Sequence, residues 1–150
     1  MKTVLAAALA VGMTFSVAAI AHEHATGVVK ERMEGMEAIG QQVKILVPML
    51  KGTLPYEPAK VAESASIIEG HAGENFTKLF PEGSVGHPSD ARSEIWEDWS
   101  TFTELAKELE SSATNLKTVA AGNGSEGDFK GALGSMLKTC KSCHSDFRAD

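Results

Sequence analysis

The chain has only two cysteines in 150 residues, both near the C-terminus and three positions apart. No disulfide framework can therefore staple the fold, and a bridge between those two would close too short a loop to restrict the unfolded chain. No stretch alternates apolar and polar residues with period two, which argues against a sheet. Internal repeats and low-complexity tracts are absent beyond the N-terminal segment. No general acid–base pair or nucleophile constellation is visible, so the sequence does not read as an enzyme. Positive charge is scarce as well, with 14 Lys and Arg against 20 Asp and Glu and a net charge of −6. An acidic protein of this size is a poor partner for nucleic acid or an anionic membrane. Proteins with a basic docking face and small molecules remain open.

Charge is missing altogether from Val4 to Ile20, behind Lys2. The run is just long enough to compete as a transmembrane anchor. It ends, however, at the small-x-small pattern Ala19-Ile20-Ala21, which favours an export signal over residues 1–21 with a mature start at His22. The mature chain, residues 22–150, then has 13 basic against 20 acidic groups, a net −7, and fits one domain able to bury a core without a membrane span. The expected location is the periplasm.

Gly and Pro clusters divide the mature chain into four periodic stretches. The first, from about Thr26 to Leu50, places Val29, Met33, Met36, Gly40, Val43, Val47 and Leu50 at alternating spacings of three and four, and Pro48 interrupts its last turn. A second helix is predicted from Pro58, burying Val61, Ala65, Ile68, Ala72, Phe76 and Leu79. A third, capped by Ser89 or Asp90, carries Ile95, Trp99, Phe102, Ala106, Leu109, Ala113, Leu116 and Ala120. Trp96 and Trp99 read as core or bundle-edge packing. Gly122-Asn123-Gly124 ends that helix, and Ser125-x-x-Asp128 starts the last, whose inner face is Phe129, Leu133, Met136, Leu137, Cys140 and Phe147. Four helices with short connections and one apolar stripe each predict an all-α antiparallel four-helix bundle.

The two cysteines belong to Cys140-Lys141-Ser142-Cys143-His144. Thiols three apart on a helix share a face, where both reach the vinyl groups on one edge of a haem, and the adjacent His144 then stands under the iron as proximal ligand. Two alternatives compete. A redox-active dithiol belongs beside a βαβ pattern, which is absent, and a zinc site needs further ligands, for which His71 and His87 are the candidates. With an export signal and no other cysteine, covalent attachment of one haem c is the reading that accounts for the motif.

With the attachment motif at the end of a four-helix bundle, followed by Phe147-Arg148, the chain resembles class II cytochromes c, the group containing cytochrome c′. Arg32 with Met36, Lys51-Gly52-x-x-Pro55-Tyr56 and Glu94-Ile95-Trp96 add to the resemblance, which spans the mature chain. It implies that Arg32 hydrogen-bonds a haem propionate and that Arg148 approaches the proximal imidazole or a propionate. It also makes the sixth iron position decisive. In cytochrome c′ that position is usually empty and crowded by an apolar residue of helix one, and the high-spin iron binds small gases such as nitric oxide. In low-spin relatives a methionine from this region ligates the iron and the protein carries electrons to and from redox partner proteins. Met36 stands at the matching place. Its spacing to the Pro55-Tyr56 turn, Met36-x-x-x-Gly40 and Leu79-Phe80-Pro81 look like the low-spin members, so the expected metal ligands are His144 and Met36, with the gas-binding cytochrome c′ as the alternative. Many relatives dimerise through helices one and two, and nothing in the sequence decides whether this chain forms a homodimer.

Overall fold

The computed structural model describes residues 25–86 and 88–149, so the expected signal segment lies outside the described residues. The helices are α1 (Gly27–Leu50), α2 (Pro58–Gly70), α3 (Gly73–Thr77), α4 (Glu94–Glu97), α5 (Trp99–Ala121) and α6 (Glu126–Phe147). α1, α2, α5 and α6 form the expected four-helix bundle. Among the described residues there is no strand, only an isolated antiparallel bridge between Ala91 and Arg148. None of the described helices is long and apolar enough to cross a membrane.

Local chemistry sets most helix ends. Pro58 opens α2, where a missing N–H costs nothing. α6 starts with a full capping box: the Asp128 N–H donates to Ser125 Oγ at 3.1 Å, and the Ser125 N–H donates to Asp128 Oδ2 at 2.9 Å. Pro48 does not end α1, which runs on to Leu50. The Pro48 carbonyl instead accepts from the Thr53 and Leu54 amides at 3.0 and 3.2 Å, closing the turn beyond it.

Two expected helices are broken. The third does not start at Ser89 or Asp90: helix begins only at Glu94, and Asp98 then interrupts it at φ −127° and ψ 57° and caps α5 itself, accepting from the Thr101 amide at 3.2 Å. A side-chain acceptor there offers the backbone an alternative to continuing the helix. The second stops at Gly70, and the chain restarts at Gly73 with φ +57°. Its stripe nevertheless holds: Val61, Ala65 and Ile68 sit in a first core cluster, whereas Phe76 and Leu79 pack against a second around Phe80, Ile95, Phe102 and Phe147. At Gly73 a Cβ would meet both a left-handed backbone and the Glu110 carboxylate. Gly73→Ala is therefore expected to cost about 1–2 kcal/mol, read as a fall in Tm of roughly 5 °C or more. An unchanged melting curve would contradict it.

The buried stripe of α1 is turned one residue from the expected seam, onto Arg32, Gly35, Ile39, Leu46 and Met49. Gly35 fits there because His71 closes over it, with Nδ1 3.3 Å from where a Cβ would stand. Met36, Val43 and Leu50 become the half-buried flank of the first cluster. That rotation puts Met36 at the edge of the core.

α2 and α5 are also tied by Glu69, whose carboxylate accepts from Lys117 Nζ and, at 2.7 Å, from Thr114 Oγ1. The Lys117 contact first and the Thr114 contact second hold this carboxyl below its usual range. A depressed folded-state value means that the contribution is complete above the ordinary carboxylate range and is lost as pH falls through the folded value. Glu69→Gln should therefore flatten the fall in thermal stability below about pH 4. Parallel acid limbs for the two proteins would refute this.

Candidate haem site

The last turns of α6 carry the attachment motif. Cys143 and His144 line a cavity of about 320 Å³, within the range of small-molecule sites. Across it, α1 contributes Arg32, Met33 and Met36. Phe76, Phe80, Ile95, Phe102 and Phe147 form its apolar side. Cys140, one turn before His144 and half-buried, does not line the cavity. Arg148 is exposed at the rim, with Nε 3.9 Å from Asp90 Oδ2.

The helical spacing thus brings Arg32, Met36, Cys143, His144 and Arg148 around one space. His144 stands on the exposed side of α6. Desolvation, and secondarily the Arg148 charge, pushes its imidazole below the usual value, which favours the neutral ring.

Both thiols are free and shifted upward. Burial raises Cys140, and burial first, then Cys140 and Asp146, pushes Cys143 up to about 11. A catalytic dithiol requires the opposite, a depressed thiol that is thiolate at neutral pH. The zinc alternative finds no support either, since no group of three or more His, Cys, Asp and Glu among the described residues could hold a metal ion. His87 lies outside the described residues, and His71 packs over Gly35 at the end of α2.

Arg32 is a buried cation at the edge of this cavity. Its side chain is buried at 3% exposure, and its recorded acceptors are neutral: Ser84 Oγ at 2.8 Å, Ser89 Oγ at 2.8 Å, the Leu79 carbonyl at 3.4 Å and the Ser84 carbonyl. Its carbon Cζ lies 4.6 Å from the Phe80 ring centroid, and burial lowers its pKa. Nε is buried without a partner. A buried cation with an unspent donor beside a cavity is the chemistry that fits a carboxylate substituent of a haem.

Sequence reading missed three things here. Ser84 and Ser89 were not recognisable as Arg32 partners, since they lie 52 and 57 positions away in a loop. The pairing of the 90–92 segment with the end of α6 carries no local signal. Phe76 and Phe102 were legible as core, but not as cavity wall.

A four-helix bundle with a Cys-x-x-Cys-His attachment motif on its last helix, facing the first helix across an apolar cavity, defines a haem protein of the c-type cytochrome class. The cytochrome c′ family model matches residues 27–148, and the chain belongs to that family. It accordingly carries one covalent c-type haem. It is 33% identical over 125 residues to cytochrome c′ of Rhodopseudomonas palustris, covering 83% of each chain. It is 32% identical over 154 residues to that of Rhodospirillum rubrum, covering 99% of each. A crystal structure of a triple mutant of the R. palustris protein superposes with TM-score 0.76 at 32% identity, covering 84% of this chain and all of that one. The nitric oxide complex of a cytochrome c′ mutant from Alcaligenes xylosoxidans shares the fold, with TM-score 0.72 at 24% identity over 82% of this chain and 94% of that one. These relatives are cytochromes c′, and the expected low-spin ligation by Met36 draws no support from them.

Proposed function

We propose that this chain is a high-spin, five-coordinate cytochrome c′ that binds small neutral gases, nitric oxide foremost, on the haem face opposite His144. Membership of the cytochrome c′ family is the observation that carries this reading. Met36 sits on α1, half-buried and packed against the first core cluster, a position compatible with this reading. In this reading Met36 crowds the distal face, and the surrounding phenylalanines favour an uncharged diatomic over water or anions.

Cys140 and Cys143 provide the two thioether attachments, His144 the proximal ligand, and Arg32 Nε the contact to a propionate. Arg148 keeps a positive charge beside the imidazole. The bound haem supplies the ligand-binding and redox chemistry of its iron. The protein contributes a tether, a neutral imidazole and an apolar wall. Reduction by a redox partner protein and export to the periplasm belong to the same proposal.

Met36→Ala tests it. Opening the wall is expected to leave a high-spin spectrum in place and to speed carbon monoxide association about tenfold, which corresponds to about 1.4 kcal/mol off the barrier. Conversion of a low-spin spectrum to a high-spin one by the same substitution would instead make Met36 an axial ligand and the protein an electron carrier.

A further inference from the structure

Arg32 holds more than one wall of the cavity. Its Nη1 and Nη2 grip Ser84 and Ser89, and Ser89 Oγ accepts in turn from the Ala91 amide at 3.2 Å. The segment beyond is stitched to the end of α6. The Arg92 amide donates to the Phe147 carbonyl at 3.0 Å, and the Ala149 amide donates to the Asp90 carbonyl at 2.8 Å, around the Ala91–Arg148 bridge. The Arg148 amide closes the path by donating to the His144 carbonyl at 3.3 Å. Hydrogen bonds joined by single steps of backbone therefore lead from α1, one turn before Met36, to the turn of α6 that carries His144.

We propose that Arg32 is a positioning residue for His144, acting through Ser89 and the Asp90–Arg92 segment to fix the C-terminal turn of α6. This rests on the reading of His144 as the proximal ligand. Groups that hold a ligating imidazole from behind set its orientation and tune the metal. The fork is what the role requires, because guanidinium serves several acceptors in a fixed plane and an ammonium cannot. Four acceptors from three residues, on a side chain this deeply buried, give Arg32 a stronger hold on the loop than a propionate contact alone would need.

The test compares Arg32→Lys and Ser89→Ala as ferrous holoproteins by amide hydrogen exchange and by the iron–histidine stretching band in resonance Raman spectra. Both variants should exchange the Arg92 and Ala149 amides about tenfold faster or more, with Ala113 and Leu116 in α5 unchanged, and both should shift or broaden the iron–histidine band. Ser89→Ala leaves the Arg32 charge and its Nε in place, so its effect cannot come from a lost propionate contact, and it serves alone if Arg32→Lys does not fold. The proposal is overturned if the Arg92 and Ala149 amides keep their rates, if only Arg32→Lys moves the band, or if neither variant does. Absence of an iron–histidine band from the unsubstituted protein would remove His144 as ligand and this proposal with it. A band present there but unmoved in Ser89→Ala would refute the positioning role and spare the ligand.

Discussion

Replacing both motif cysteines, Cys140→Ser together with Cys143→Ser, is expected to abolish covalent haem completely. These are the only two cysteines in the chain, so no other thiol can form a thioether. Cys143 borders the cavity and Cys140 lies three positions earlier on α6, a spacing at which, in the proposed reading, the pair would fasten one edge of the macrocycle with His144 as proximal ligand. Each single variant keeps one thioether site and should hold haem in reduced yield. Haem staining after denaturing electrophoresis, with acid–acetone extraction, reads the outcome. A double variant whose haem resists extraction like that of the unsubstituted protein would contradict the assignment. Two titratable thiols and no pigment in the native protein would point instead to a dithiol, a role the raised thiol values already oppose.

Phe102→Ala is expected to destabilise the fold by about 3–5 kcal/mol. Phe102 is 2% exposed and stands in the middle of the second core cluster. Its ring centroid lies 4.8 Å from that of Phe80, 5.4 Å from that of Phe147, 5.5 Å from that of Trp99 and 6.0 Å from that of Phe76. The edge-on contacts with Phe80 and Phe147 add to the transfer term, and helices converging from four segments cannot all collapse into the gap. Because the same ring walls the cavity, haem retention by the folded fraction should also weaken. Denaturant unfolding with an unchanged slope and a lowered midpoint is the expected signature. A loss below about 1 kcal/mol would mean that the cluster relaxes around the gap.

The helices and the attachment motif were legible because each is a local pattern. Ser125 and Asp128 cap α6 as their spacing implies, and the α5 stripe is buried at Phe102, Ala106, Ala113, Leu116 and Ala120 as the helical period demands, whereas Leu109 is half-buried and Trp99, expected in the same stripe, is exposed. The breaks at Asp98 and Gly70 were less legible, since both interrupt stripes that continue beyond them. At Asp98 a local side-chain acceptor outcompetes helix continuation, and at Gly73 a left-handed backbone turns the chain. The rotation of α1 was hidden for a different reason. The apolar spacing leaves Arg32 out of its seam, and the distant Ser84 and Ser89 that receive its side chain carry no local signal, so the buried stripe through residues 32, 35 and 39 was not visible. Pattern could place Met36 near the iron, but the same half-buried position serves a ligand or a wall. The family, not the spacing, favours the wall.

The ferric and ferrous optical spectra of the purified holoprotein, recorded before and after adding nitric oxide, test the central claim most directly. A high-spin spectrum in both oxidation states, shifting when the gas is added to the ferrous protein, is the predicted result. A low-spin spectrum with a methionine-to-iron charge-transfer band, indifferent to the gas, would contradict it and make Met36 the sixth ligand of an electron carrier.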